Sequence, residues 1–186
     1  MNIKLLPEDW INEAFAMLAE GGVDSIKIEV LAKRLNVTKG GFYWHFKNRG
    51  DLLERMLEHW CQRRIETIRG QVARETDPVA TLNYLLGLYT DQTNPRGNAI
   101  ELAVRSWARQ SEAAAATIAV VDRERLAAVA GLFRSLGCAD AEAEARAYLF
   151  YSYCFGQSLL AVGHQDELDQ IRLLCGRLLV TDSAHK

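Results

Sequence analysis

Residues Ile28 to Phe46 read IEVLAKRLNVTKGGFYWHF, and this stretch decides the fold. Ile28, Leu31, Ala32 and Leu35 recur at helical spacing, and Asn36 ends that pattern. Thr38 is a residue type that opens helices, so a second short helix is expected from Lys39 to about Phe46. Two short helices joined by a turn of about four residues form a helix-turn-helix. Leu31 and Leu35 are the expected buried face of the first helix, Ala32 permits close crossing, and Val37 plugs the turn. Phe42 and Phe46, one helical turn apart, anchor the second helix. Lys39, Gly41, Tyr43, Trp44 and His45 are then left facing outward, which suits a DNA groove better than a core.

Charge sharpens this reading. The 186-residue chain has a net charge of −2. From Val30 to Gly50, however, there is no Asp or Glu, while Lys33, Arg34, Lys39, Lys47 and Arg49 all fall inside. A local basic patch in an acidic chain is an electrostatic footprint for phosphate.

Working outward, Trp10, Ile11, Ala14, Phe15 and Leu18 give one apolar helical face, with Pro7 in the first turn and Gly21-Gly22 at the stop. A fourth helix is expected from about Asn48 to Ala73. Asp77-Pro78 is a break, and Asp77 is placed to cap a helix over Val79–Gln92. Further helices are expected over Asn98–Arg109, Ala114–Ser135, Ala141–Val162 and Glu167–Leu179. No stretch alternates with period two, so the chain reads as all-α. The expected division is a DNA-binding domain over residues 1–48 and a helical effector-binding and dimerisation domain over 49–186. The linking helix, 48–73, is shared between them.

Several function classes find no support. There is no nucleophile–base motif, phosphate loop or paired metal-ligand spacing, so neither an enzyme nor a cofactor is expected. Cys61, Cys138, Cys154 and Cys175 lack the close pairing of a zinc or redox site. Tyr148–Val162 is the longest apolar run, and it is too short to span a bilayer, which needs about 20 residues. Met1–Trp10 lacks the apolar run of a secretion signal, so a cytoplasmic location is expected.

Trp10 to about Met56 resembles the TetR family of bacterial transcriptional regulators. The resemblance rests on Leu31-Ala32-Lys33-Arg34-Leu35, Asn36-Val37-Thr38-Lys39-Gly40 and Phe42-Tyr43-Trp44-His45-Phe46, followed by Arg49 and Leu52-Leu53. It implies a homodimeric, ligand-responsive repressor reading double-stranded DNA at a near-palindromic operator. It implies phosphate contacts for Tyr43 and His45, and a phosphate grip for Arg49 at the start of the fourth helix. Thr38 would cap the recognition helix, and Lys39 would reach phosphate or a guanine edge. Lys27, Lys33, Gly40, Gly41, Trp44 and Lys47 complete the candidate surface. Three positions depart from the family pattern. Gly41 stands where Ser, Thr or Ala is usual, Lys27 where a Thr commonly caps, and Gly50 early in the fourth helix. With Lys27 in that place, the cap of the second helix falls to Ser25 or is lost.

The resemblance also implies that the last two helices pair with their symmetry mates in a four-helix bundle. Phe155, Leu159, Leu168, Ile171, Leu174 and Leu178 are the candidate interface. An effector pocket among the middle helices, for an apolar or aromatic molecule, would draw on Trp60, Tyr84, Leu88, Tyr89, Trp107, Phe150 and Tyr151. Arg105 and Arg109, flanking Trp107, are expected to be solvated. The rival reading is a helical adaptor that binds only protein, anchored by Tyr43 and Trp44.

Overall fold

The computed structural model describes residues 5–74, 76–90, 95–157 and 165–180, with the side chains of 90 and 165–169 left aside. The described residues form helices α1 (Pro7–Gly21), α2 (Ile28–Arg34), α3 (Lys39–Phe42), α4 (Arg49–Val72) and α5 (Pro78–Thr90). Helices α6 (Pro95–Ala108), α7 (Glu112–Ser135), α8 (Asp140–Gly156) and α9 (Gln165–Val180) follow. A single 3-10 turn, Val23–Ser25, separates α1 from α2.

The chain divides into two compact units, one of Met1–Arg64 with Pro95–Val121 and one of Ile65–Asn94 with Asp122–Lys186. This differs from the division at residue 48. Helix α4 runs through both units, and α6 and the start of α7 join the first unit because α6 packs against α1.

In the first unit the expected face of α1 is buried: Trp10, Ile11, Ala14, Phe15 and Leu18, with Met17 added. Pro7 opens the helix and the backbone N–H of Leu6 donates to Asp9 Oδ2 at 2.7 Å. Gly22, at φ 73°, closes it, and its N–H donates to the Leu18 carbonyl. Phe42 is the hub of the core. It stacks on Phe46 with centroids 5.1 Å apart and meets the Trp10 ring edge-on at 5.5 Å. Such aromatic pairs add about 0.5–1.5 kcal/mol beyond their burial. Leu52, Met56, Leu57 and Trp60 bring the first half of α4 onto the same core.

The first unit also buries a carboxylate. Glu101 on α6, 3% exposed, receives Arg64 Nε of α4 at 3.1 Å and Arg105 Nε of its own helix at 3.0 Å. Arg64 Nη2 donates to the Gly97 carbonyl as well. Arg105, expected in solvent, is therefore held in an ion cluster. The cluster supplies the opposite charge that a buried ion requires.

The core of the second unit is Leu82, Leu85, Leu86, Val129, Phe133, Ala143, Ala147, Phe150, Tyr151 and Cys154, with Val180 of α9. Asp77 caps α5, accepting from the Val79 N–H at 3.0 Å. Helix α9 approaches α5 at Gly176, where a Cβ would stand 2.7 Å from Leu86 Cδ2. Cys154 packs as a small hydrophobe, and burial pushes its thiol up to about 12.

Candidate nucleic-acid interface

Helix α2 ends as the sequence demanded. Asn36 adopts φ 55°, its N–H donates to the Lys33 carbonyl, and the Val37 N–H reaches back to the Ala32 carbonyl at 2.9 Å. This is a Schellman closure, with Asn supplying the left-handed residue. It fixes the turn that aims α3. Leu31 and Ala32 are buried beneath it, whereas Leu35 and Val37 are only half-buried.

Helix α3 is shorter than expected. It runs from Lys39 to Phe42, and residues 43–45 form a turn rather than more helix. With Gly40 and Gly41 in its middle, the segment has weak intrinsic helicity, and its placement rests on Phe42 and Phe46. Gly41 lies over Trp10, a Cβ there meeting the indole at 3.7 Å.

The side chains on the outer side are open. Trp44 is 87% exposed and Tyr43 52%. An exposed Trp beside an exposed Tyr is a conspicuous surface, since both residue types usually bury most of their area. That exposure excludes packing of Trp44 beneath α4. His45 is half-buried with its ring against Phe46, and Lys27, Lys33, Lys39 and Lys47 are exposed. Thr38 occupies the N-cap position with extended backbone, but its hydroxyl makes no capping hydrogen bond. Lys27 likewise stands uncapped at the start of α2. Ser25 does not replace it, because its hydroxyl donates to the Met17 and Gly22 carbonyls.

Three basic residues are placed otherwise than the charge pattern suggested. Arg49 points inward: its Nε donates to the Ile26 carbonyl and its Nη2 to the Val23 carbonyl. It braces the turn before α2, leaving less of its fork for phosphate. Arg34 is held by Glu13 and by both oxygens of Glu20 on α1. Lys39 pairs with Glu29, and the ammonium lowers that carboxyl below its usual range. The window from Val30 to Gly50 is acid-free in sequence, but its surface is not. Glu29 sits one residue outside the window, and the Glu13 and Glu20 of α1 fold against it.

The start of α4 is closed by two side chains. Asn48 Oδ1 accepts from the Asp51 N–H at 3.0 Å, and Asp51 Oδ2 accepts from the Lys47 N–H at 2.7 Å. That backbone hydrogen bond, with Arg55 adding a second, holds the Asp51 carboxyl below its usual range. Gly50 belongs to this arrangement. A Cβ there would stand 3.0 Å from Asn48 Oδ1 and crowd the cap.

The other candidate residues divide between the units. Tyr84, Leu88, Tyr89, Phe150 and Tyr151 gather in the second unit, where Tyr89 meets Tyr151 and Phe155 edge-on at 6.2 and 5.5 Å. Trp60 and Trp107 lie in the first unit, 5% and 7% exposed, as packing residues of that core. Of the candidate interface, Ile171, Leu174 and Leu178 are exposed, by 50%, 56% and 70%. Phe155 is half-buried: it stacks on Tyr151 and receives the Arg125 guanidinium over its ring. Leu159 lies outside the described residues, as does the side chain of Leu168. Tyr148 and Leu149 on α8 and Leu173 on α9 are exposed apolar residues that helical periodicity alone did not single out.

Comparison with known proteins agrees with this geometry. Residues 11–56 match the model of the bacterial regulatory proteins of the tetR family. Over 55 residues, 30% of this chain, the sequence is 42% identical to the tetracycline repressor protein class A from transposon 1721 of Escherichia coli. The chain spans about a quarter of the length of the curated relatives it matches, 26% in that case. Solved structures extend the likeness of fold to nearly the whole chain. A transcriptional regulator from Rhodococcus sp. Rha1 superposes with a TM-score of 0.73 at 20% identity, covering 95% of this chain and 94% of its own. A TetR transcription regulator from Haloarcula marismortui does so with a TM-score of 0.69 at 21% identity, covering 96% and 95%. Residues 11–56 are thus similar in sequence to the DNA-binding segment of the tetR family of bacterial regulatory proteins, and the fold is like that of the solved transcriptional regulators.

Proposed function

We propose that this chain is a sequence-specific DNA-binding regulator of transcription, acting as a homodimer on a near-palindromic operator and repressing until an effector binds. The observation that carries the reading is the exposed Tyr43-Trp44 pair beside Lys39 and Lys47, mounted on a turn held rigidly by Asn36. Two such elements, one helical turn of DNA apart, would enter successive major grooves. Tyr43, the unbonded Thr38 hydroxyl and the exposed lysines would take phosphate, and these contacts make affinity fall with salt. Pairing of subunits would use the apolar residues of α8 and α9, Tyr148, Leu149, Ile171, Leu174 and Leu178. An apolar or aromatic effector in the second unit would meet Tyr84, Tyr89 and Tyr151. It acts only through different affinities for the DNA-competent and incompetent states.

The test is selection of genomic fragments by the purified protein, followed by binding to the enriched site. One palindromic site, with steep salt dependence, is the expected result. No enriched sequence would overturn the reading in favour of a protein-binding adaptor.

A further inference from the structure

Glu29 lies in the first turn of α2 and Lys39 begins α3. The two side chains meet in an ion pair, Lys39 Nζ donating to Glu29 Oε1. The pair is open to solvent, with 49% of the lysine side chain and 66% of the glutamate exposed. Two neighbours fix where it stands. The Lys39 ammonium is held above the ordinary lysine range, chiefly by the Glu29 hydrogen bond and also by the nearby Tyr43 phenol. The Glu29 carboxyl is held low chiefly by Lys39, with Lys27 adding to it. Glu29 therefore sits among Lys27, Lys39 and Tyr43, on the face that carries the candidate DNA contacts.

An exposed ion pair adds little to stability. On a surface that meets phosphate, an acid is repelled by the backbone, so on DNA it gains only from a hydrogen-bond donor. The amino groups of the bases supply such donors in the major groove. The ion pair presents a donor beside an acceptor, and a G·C pair presents the complement. Guanine O6 accepts, the adjoining cytosine N4 amino group donates, and N7 is a second acceptor on the purine side. An ammonium has three N–H groups, so one serves Glu29 and two remain for O6 and N7. A carboxylate accepts more than one hydrogen bond, so Lys39 does not exhaust it. An A·T pair reverses the match: adenine N6 sets a donor before the ammonium, and thymine O4 sets an acceptor before the carboxylate.

We propose that Glu29 reads a cytosine, its carboxylate accepting from the N4 amino group while Lys39 donates to O6 and N7 of the paired guanine. The inference rests on the reading of the chain as a sequence-specific DNA-binding protein. It assigns Lys39 to a base and leaves phosphate to Tyr43, Lys27, Lys33 and Lys47. The ion pair carries no net charge, so it adds selectivity without adding to the salt-sensitive attraction.

The experiment takes the site that the wild type selects from genomic fragments and changes each base pair in turn, symmetrically in both half-sites. Fluorescence anisotropy measures binding of the full chain, of Glu29→Ala and of Lys39→Ala to this panel. For the wild type, replacing one particular G·C pair by A·T weakens binding about tenfold or more per half-site, as loss of such a base contact does. In both variants the loss at that same pair shrinks severalfold, and the losses elsewhere stay as in the wild type. Both positions are exposed, and thermal melting checks that the variants fold. A Glu29→Ala variant that keeps the wild-type loss at every base pair overturns the inference and leaves Glu29 a surface charge. So does relief at different base pairs in the two variants. If the wild type selects no site, the DNA-binding reading itself has failed, and this inference falls with it.

Discussion

Replacing Glu101 by Gln should destabilise the first unit by about 2–3 kcal/mol. The carboxylate is 3% exposed and accepts Arg64 Nε at 3.1 Å and Arg105 Nε at 3.0 Å. Two unit charges near 4 Å at an effective dielectric of 20 attract by about 4 kcal/mol, most of which desolvation cancels. Removing one partner of a buried pair costs about 3–5 kcal/mol because the remaining charge stays buried. Two facts reduce that figure. The arginine side chains are 23% and 24% exposed, so water reaches them. The Gln amide oxygen also remains as an acceptor for one guanidinium. A loss of about 2–3 kcal/mol corresponds to a fall in midpoint of about 5–10 °C for a chain of this length. Arg105→Ala removes a Glu101 partner supplied by the same helix and should cost about 1 kcal/mol. Arg64→Ala costs more, because it also strips the Gly97 carbonyl of a donor and unties α4 from α6. Thermal and urea melts of the three variants measure the order. A Glu101→Gln midpoint within a degree of wild type would refute the reasoning.

Three further outcomes follow from particular geometries. Asn36→Ala should destabilise by about 1–2 kcal/mol while Asn36→Gly is neutral or stabilising, since φ 55° penalises a Cβ that lacks Asn's local hydrogen bonding; urea titration separates the two. Acidification should weaken the α1–α2 link and the start of α4. Arg34, Lys39 and Asp51's backbone and side-chain partners lower the Glu20, Glu29 and Asp51 carboxyls, so their contribution is present above the ordinary carboxylate range and lost as pH falls below about 4. Glu20→Gln should flatten that part of the stability–pH curve. If α9 forms the proposed subunit interface, Leu174→Glu with Leu178→Glu should leave the melting of the chain nearly unchanged, both sites being exposed, yet give a monomer by light scattering where the wild type gives a dimer.

Much of this molecule is written in local spacing. The apolar face of α1, the Asn36 stop, the Asp77 cap and the anchoring of α3 by Phe42 and Phe46 each depend on residues within a few positions. Single-sequence reasoning reaches such features. The length of α3 was less legible, because two glycines leave its helicity to tertiary packing. Roles set by distant partners were not legible at all. Arg49 reads as a phosphate ligand until Val23 and Ile26 fold over it. Arg34 reads as part of a basic patch until Glu13 and Glu20 come across from α1. Arg105 reads as a solvated charge until the buried Glu101 and Arg64, far away in sequence, gather round it. The ring contacts of Phe155 with Tyr89 and Tyr151, residues of two different helices, likewise depend on tertiary packing.

The most direct test of the central claim is the salt dependence of binding to the selected site, with wild type beside Tyr43→Ala. Wild-type affinity should fall with a log–log slope of about −0.9 for each phosphate engaged, reaching several in total. Tyr43→Ala should melt within about 1 kcal/mol of wild type yet bind at least about thirtyfold more weakly, one hydrogen bond to phosphate, worth about 1 kcal/mol or more, being lost in each subunit. Unchanged affinity in a folded Tyr43→Ala variant, or binding indifferent to salt, would contradict the account.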